Sequence, residues 1–147
     1  MQFVVEGKPQ AKQRARTFFN RSTGRMQSIT PEKTKSYEEL IRWSYKASGG
    51  TYLGDKAIRL SIKAFFPIPQ AFSRAKRKQA LEGEIRPMTK PDTDNIIKIV
   101  LDALNGVAYY DDKQVLSVSC SKWYAEKGYV LIELNGVENE KRQRSII

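Results

Sequence analysis

The sequence predicts a single α+β domain, in which a small mixed β-sheet packs against helices. Three observations predict it. Stretches whose apolar residues alternate with period two are interspersed with stretches at helical spacing. No internal repeat or linker breaks the chain, and 147 residues fit one domain of common size. Finally, 40% hydrophobic and 10% aromatic residues can supply a core, which argues against wholesale disorder.

Taken in order, residues 2–6 read as a short strand, ended by Gly7-Lys8-Pro9. From there to Arg25 the chain carries Lys8, Lys12, Arg14, Arg16, Arg21 and Arg25 without one acidic residue. Gly24 suggests a turn between two short arms holding Phe18-Phe19 and Met26, so the stretch reads as a basic loop or irregular hairpin. A helix follows. Thr30 can cap it, Pro31 suits its first position and Glu32 complements the dipole. Tyr37, Leu40, Ile41 and Tyr45 form its apolar stripe, and Gly49-Gly50 stops it.

Residues 57–68 alternate apolar and polar as a half-buried strand that ends at Pro67 and Pro69. A short basic helix is expected from Ser73 to Glu82, closed by Gly83. Its Arg74, Lys76, Arg77 and Lys78 face several directions, which suits a solvated helix as readily as a phosphate contact. Residues 84–91 are extended, and a third helix runs from about Asp94 to Asn105, stopping at Gly106. Two strands, about Val115–Tyr124 and Tyr129–Leu134, are expected to form a hairpin across Glu126-Lys127-Gly128. The domain thus spans 1–138, with a loosely ordered basic tail over 139–147 that carries Lys141, Arg142 and Arg144.

Composition narrows the function. No run of about eighteen apolar residues exists, so no membrane span is expected. No signal peptide is visible, and a cytoplasmic protein is the expectation. The single cysteine, Cys120, can form neither an internal disulfide nor a Cys-rich zinc site; a buried structural thiol is expected. Lys and Arg number 26 against 16 acids, a net +10. That excess suits a polyanion partner, because cationic contacts to phosphate release condensed counterions; a merely soluble basic surface gives the same total. There is no histidine. Hydrolysis would therefore rely on carboxylates, lysine or a hard metal ion held by oxygen.

The stretch with chemistry in it runs Lys90-Pro91-Asp92-Thr93-Asp94-Asn95-Ile96-Ile97-Lys98, then to Tyr110-Asp111-Asp112-Lys113. Asp92 and Asp94 bracket a helix start, and steps of four from Asp94 reach Lys98 and Asp102 on one face. Ile96, Ile97, Val100, Ala103 and Leu104 cover the other face, as a helix packed on a sheet requires. An antiparallel return is expected to bring Asp111-Asp112 back beside Asp92. Phosphodiester hydrolysis must neutralise growing charge and deprotonate a water. Magnesium does both while asking for only a few carboxylates. Lys98 can contact the scissile phosphate. Each acid also has an ordinary explanation: Asp92 as a cap, Asp94 as a partner for Lys98, Asp111-Asp112 as a turn. Gathered around one helix in a basic chain, they favour a metal site.

Asp92-Thr93-Asp94-Asn95-Ile96-Ile97-Lys98, Asp102-Ala103-Leu104-Asn105-Gly106 and Asp111-Asp112-Lys113-Gln114-Val115 together resemble the signature of the RusA family of Holliday-junction resolvases. The N-terminal Gly7-Lys8-Pro9 and Lys12-Gln13-Arg14-Ala15-Arg16 resemble phage-type members more loosely. The resemblance implies a homodimeric endonuclease, dependent on magnesium with manganese as a substitute, that cuts four-way DNA junctions symmetrically. It implies that Asp92, Asp94 and Asp112 bind metal, with Asp111 a further candidate, and that Lys98 is the essential lysine. Asp102 matches a recurring acid, for which an ion pair with Lys98 is the simple reading. The cations Lys8, Lys12, Arg14, Arg16, Arg21 and Arg25 become a junction-contacting surface. Phe18 or Phe19 could stack on unpaired bases, although such a pair more often sits in a core. Two other classes stay open: a metal-dependent nuclease for other branched or single-stranded DNA, and a structure-selective DNA-binding protein without activity.

Overall fold

The computed structural model describes residues 1–137; the expected basic tail at 139–147 lies outside the described residues. The fold is α+β, as the periodicities predict. Strands β1 (Gln2–Glu6), β4 (Ile58–Pro67), β5 (Val115–Ala125) and β6 (Tyr129–Gly136) build one mixed sheet in the order β1-β6-β4-β5. A separate two-stranded ribbon joins β2 (Arg16–Asn20) to β3 (Arg25–Ile29). The helices are α1 (Glu32–Ala47), α2 (Arg74–Leu81) and α3 (Thr93–Leu104).

The alternation in β4 does what its period implies. Ile58, Leu60, Ile62, Ala64 and Phe66 turn to one face and are buried. They meet Tyr37, Ile41 and Tyr45 of α1 and Ile96, Ile99, Val100, Ala103 and Leu104 of α3 in one core. Each fully buried side chain of this size contributes about 1.5–3 kcal/mol relative to an exposed one, which fixes α3 on the sheet. The polar face of α3 then has to look outward. The helix ends follow the sequence closely. Ser73 accepts the Lys76 amide at 3.2 Å as the cap of α2. Pro31, with an extended ψ of 144°, is the last residue before α1, so the helix starts one residue later than expected, at Glu32.

The expected final hairpin does not form. β4 lies between the two last strands, parallel to β5 and antiparallel to β6, while β6 also pairs with β1. The three residues Glu126-Lys127-Gly128 therefore cross over the end of β4 instead of joining neighbours. A span of two strand spacings is about 10 Å, within reach of three residues. Gly128 makes the arch possible: a Cβ there would stand 2.8 Å from the Lys8 Cα and 3.2 Å from the Pro67 Cδ. Its carbonyl accepts the Gly7 amide at 3.0 Å, which ties the end of β1 to the arch. A short Gly-containing link signals a hairpin locally. Burial of β4 between two strands overrides that signal.

Candidate active site

The first turn of α3 carries Asp92 and Asp94. Asp92 has the extended backbone of a cap (φ −71°, ψ 156°), yet its carboxylate makes no capping hydrogen bond. Its simplest structural role is thus not taken up. Asp94 and Lys98 are exposed, and among the described residues neither belongs to an ion pair. The pairing that would have explained them away is absent there.

Two turns further on, Asp102 is engaged by a different partner from the one expected. The Lys12 ammonium lies 2.5 Å from its Oδ2 and 3.5 Å from Glu38 of α1. Glu38 in turn lies 3.7 Å from Arg42. Contact with Asp102 is the main reason the Lys12 pKa is raised above that of an ordinary lysine, against the opposing effect of burial. Lys12 thus ties the N-terminal segment to α3, whereas its five fellow cations, Lys8, Arg14, Arg16, Arg21 and Arg25, are exposed and without ion pairs among the described residues.

The Asp111-Asp112 pair arrives on a tightly held return. Tyr109 is fully buried, and its hydroxyl donates to the Leu101 carbonyl at 2.6 Å. Burial, followed by the charges of Asp112, Asp102 and Asp111, pushes that hydroxyl far above the usual tyrosine range. The amides of Leu53 and Tyr110 bond Ala108 and Gly54 across the same strip, at 2.8 and 2.9 Å. Asp111 then caps the short 3-10 turn Asp112–Gln114. It accepts the Lys113 amide at 3.0 Å, while its own amide donates to Gln114 Oε1 at 2.9 Å. Gln114 is anchored by donating to the Gly54 and Lys56 carbonyls at 2.8 and 2.6 Å.

The two aspartates consequently differ. The Lys113 amide, with contact from Asp112, holds the Asp111 carboxyl below the usual range. Asp112 is pushed up by contact with Asp111, by burial, and by the charges of Asp111 and Asp102. A carboxylate crowded by two others is one that a bound cation would relieve. The return brings the pair within electrostatic reach of Tyr109 and of Asp102, in the last turn of α3.

Asp92, Asp94 and Asp112 are hard oxygen donors, and magnesium completes its shell with waters and substrate oxygens. Among the described residues, however, no group of three acidic or thiol side chains is placed to hold a metal ion. The donors fit magnesium in kind, as hard carboxylate oxygens, and not as a closed cage. Cys120 stands apart, half-buried against the core with its thiol pushed up to about 11 by burial.

The ribbon β2–β3 turns at Gly24, which takes a φ of 68° and donates its amide to the Asn20 carbonyl at 2.8 Å. Phe18 and Phe19 are not core. They are 38% and 58% exposed, beside Met26 at 64%.

Known proteins bear on this arrangement directly. The family model described as Endodeoxyribonuclease RusA matches residues 6–135. This chain belongs to the RusA family. The matched span holds Asp92, Asp94, Asp102, Asp111 and Asp112, Lys98 and the whole basic arm of this RusA-family chain. A Bacillus subtilis (strain 168) protein described as "Uncharacterized protein YqaN" is 32% identical over 139 residues, covering 93% of this chain and 96% of its own length. RusA-family endodeoxyribonucleases act on DNA, a polyanion that suits the net charge of +10. Sequence reasoning missed Glu38, Gln114 and Tyr109 as holders of the site. Only Gln114, three residues after Asp111, carries a local signal, that of a capping box.

Proposed function

We propose that this RusA-family chain is a magnesium-dependent endonuclease that resolves four-way DNA junctions by paired symmetric cuts, in recombination and repair. Manganese is the expected substitute metal, branched DNA the substrate, a homodimer the working form and the cytoplasm the compartment. The observation that carries this reading is the outward face of α3. It presents Asp92, Asp94 and Lys98 without ion pairs among the described residues, next to a basic arm whose arginines are equally unpaired.

In this reading Asp92, Asp94 and Asp112 would each lend oxygen to the metal once substrate is bound, with waters and substrate oxygens filling the rest of its shell. When bound, it would neutralise charge growing on the scissile phosphate and lower the pKa of an attacking water. Lys98 projects from the same face as Asp94 and places a positive charge beside that phosphate. Asp111 keeps the turn that aims Asp112. The cations Lys8, Arg14, Arg16, Arg21 and Arg25 grip the arms of the junction through its backbone. A junction has two equivalent phosphodiesters about a two-fold axis, which two sites of a two-fold dimer can meet together.

The test is a panel of labelled four-way, Y-shaped, single-stranded and duplex DNAs, with and without magnesium. Symmetric paired nicks confined to the four-way substrate are expected. Equal cutting of flaps or single strands would identify a nuclease of different specificity, and binding without cutting would remove the catalytic assignment.

A further inference from the structure

A groove of about 830 Å³ opens at the start of α3, walled by the segment Lys8–Gln13, the first turns of α1, and Lys90-Pro91. It touches both Asp92 and Asn95. We infer that this groove receives one unstacked nucleotide of the cleaved strand, next to the phosphate to be cut. The inference rests on the nuclease reading above and specifies how that site takes its substrate.

Three kinds of side chain line the groove. Lys8, Lys33 and Lys90 are exposed and without ion pairs among the described residues, against two acids, Glu32 and Asp92. They suit the phosphates on either side of a nucleotide. Leu40, Tyr37 and Pro91 offer an apolar floor for a base. Gln10, Gln13 and Asn95 supply amides, which can donate to and accept from a base edge at once. The size falls in the range of sites for small organic molecules. A base inside a duplex has both faces covered, so it would have to leave the stack to enter.

The wall is built in advance. Residues 8–15 have no regular secondary structure, yet they are held at several points. The Gly7 amide bonds Gly128, the Gln13 amide donates to Thr34 Oγ1 at 3.1 Å, and Lys12 is clamped to Asp102. Tyr37 is buried beneath this segment, and burial, opposed by the Gln10 backbone, pushes its pKa up to about 12. An irregular segment fixed in this way keeps the groove open without a ligand.

The experiment places 2-aminopurine next to the mapped cut in a four-way junction, with calcium replacing magnesium, and in parallel within a single-stranded pentanucleotide. Wild-type protein should raise its fluorescence on binding the junction. Ser36→Trp, at an exposed position lining the groove, should abolish that rise and weaken pentanucleotide binding about tenfold or more. Gln10→Ala combined with Asn95→Ala should relax base preference beside the cut by on the order of tenfold; this pair decides the matter if Ser36→Trp does not fold. Unchanged fluorescence, affinity and base preference in these variants would overturn the inference. If wild-type protein cuts no junction but Ser36→Trp still loses the pentanucleotide, the groove stands and the resolvase reading fails.

Discussion

Asp111 accepts the Lys113 amide and sits in a box closed by Gln114, whereas Asp112 faces two other carboxylates. Opposite outcomes follow for neighbouring residues. Asp111→Ala removes a cap and should cost about 1 kcal/mol, a fall in Tm of about 2–5 °C, while leaving measurable cleavage. Asp112→Asn removes like-charge repulsion, so Tm should hold or rise while cleavage is lost. Thermal melting alongside a cleavage assay checks both; a dead Asp111→Ala that melts like wild type would reverse the assignment. Lys98→Ala should lose most of its rate with an unchanged melt, because the side chain is exposed and makes no ion pair among the described residues. Wild-type turnover would instead make Lys98 part of a solvated helix face. At this scale the acids were legible because they crowd into one short window, from Asp92 to Asp112, at helix and turn positions. The partner of Asp102 was not. Lys12 lies 90 residues away, and no local spacing records such a contact.

The N-terminal arm, residues 8–29, joins two functions. Lys12 fastens it to α3, and the exposed ribbon extends beyond. In a double-mutant cycle of Lys12→Ala and Asp102→Ala, a coupling of about 0.5–1 kcal/mol is expected for a partly exposed pair. Its pH dependence has a definite sign. Contact with Asp102 raises the folded pKa of Lys12, so the contribution is full below 10.5 and disappears only as pH rises through the higher folded value. Coupling that faded between neutral pH and 9 would contradict the tie. Phe19→Ala should change stability by less than about 0.5 kcal/mol, given its exposure, while weakening junction binding in a gel-shift assay. The ribbon itself was readable from Gly24 between arms holding Phe18-Phe19 and Met26. Its exposure was not, because Phe18-Phe19 reads the same in a core strand and on a bare arm. The crossing of β5 to β6 over β4 was hidden for a related reason. Loop length and Gly128 say that the chain turns, and only the packing of β4 says which strand it returns beside.

For the whole molecule, periodicity was enough for the class, since the switch between two-residue and helical spacing is set by which face must be buried. Strand order is a property of the assembled sheet. The proposed function draws on the outward face of α3, the groove beside Asp92 and the basic arm. With a net charge of +10, junction affinity should fall steeply with salt. Replacing Arg21 and Arg25 together should flatten the slope of log affinity against log salt by about 1.5–2. A slope unchanged by that double replacement would take the ribbon out of the DNA interface. The central claim, that α3 carries a metal-dependent nuclease site, is tested most directly by Asp94→Asn on a labelled four-way junction in magnesium. Cleavage should vanish while junction binding stays equal to wild type or tightens, because one negative charge near the phosphate is gone. Cleavage by this variant at a rate near wild type would contradict the account.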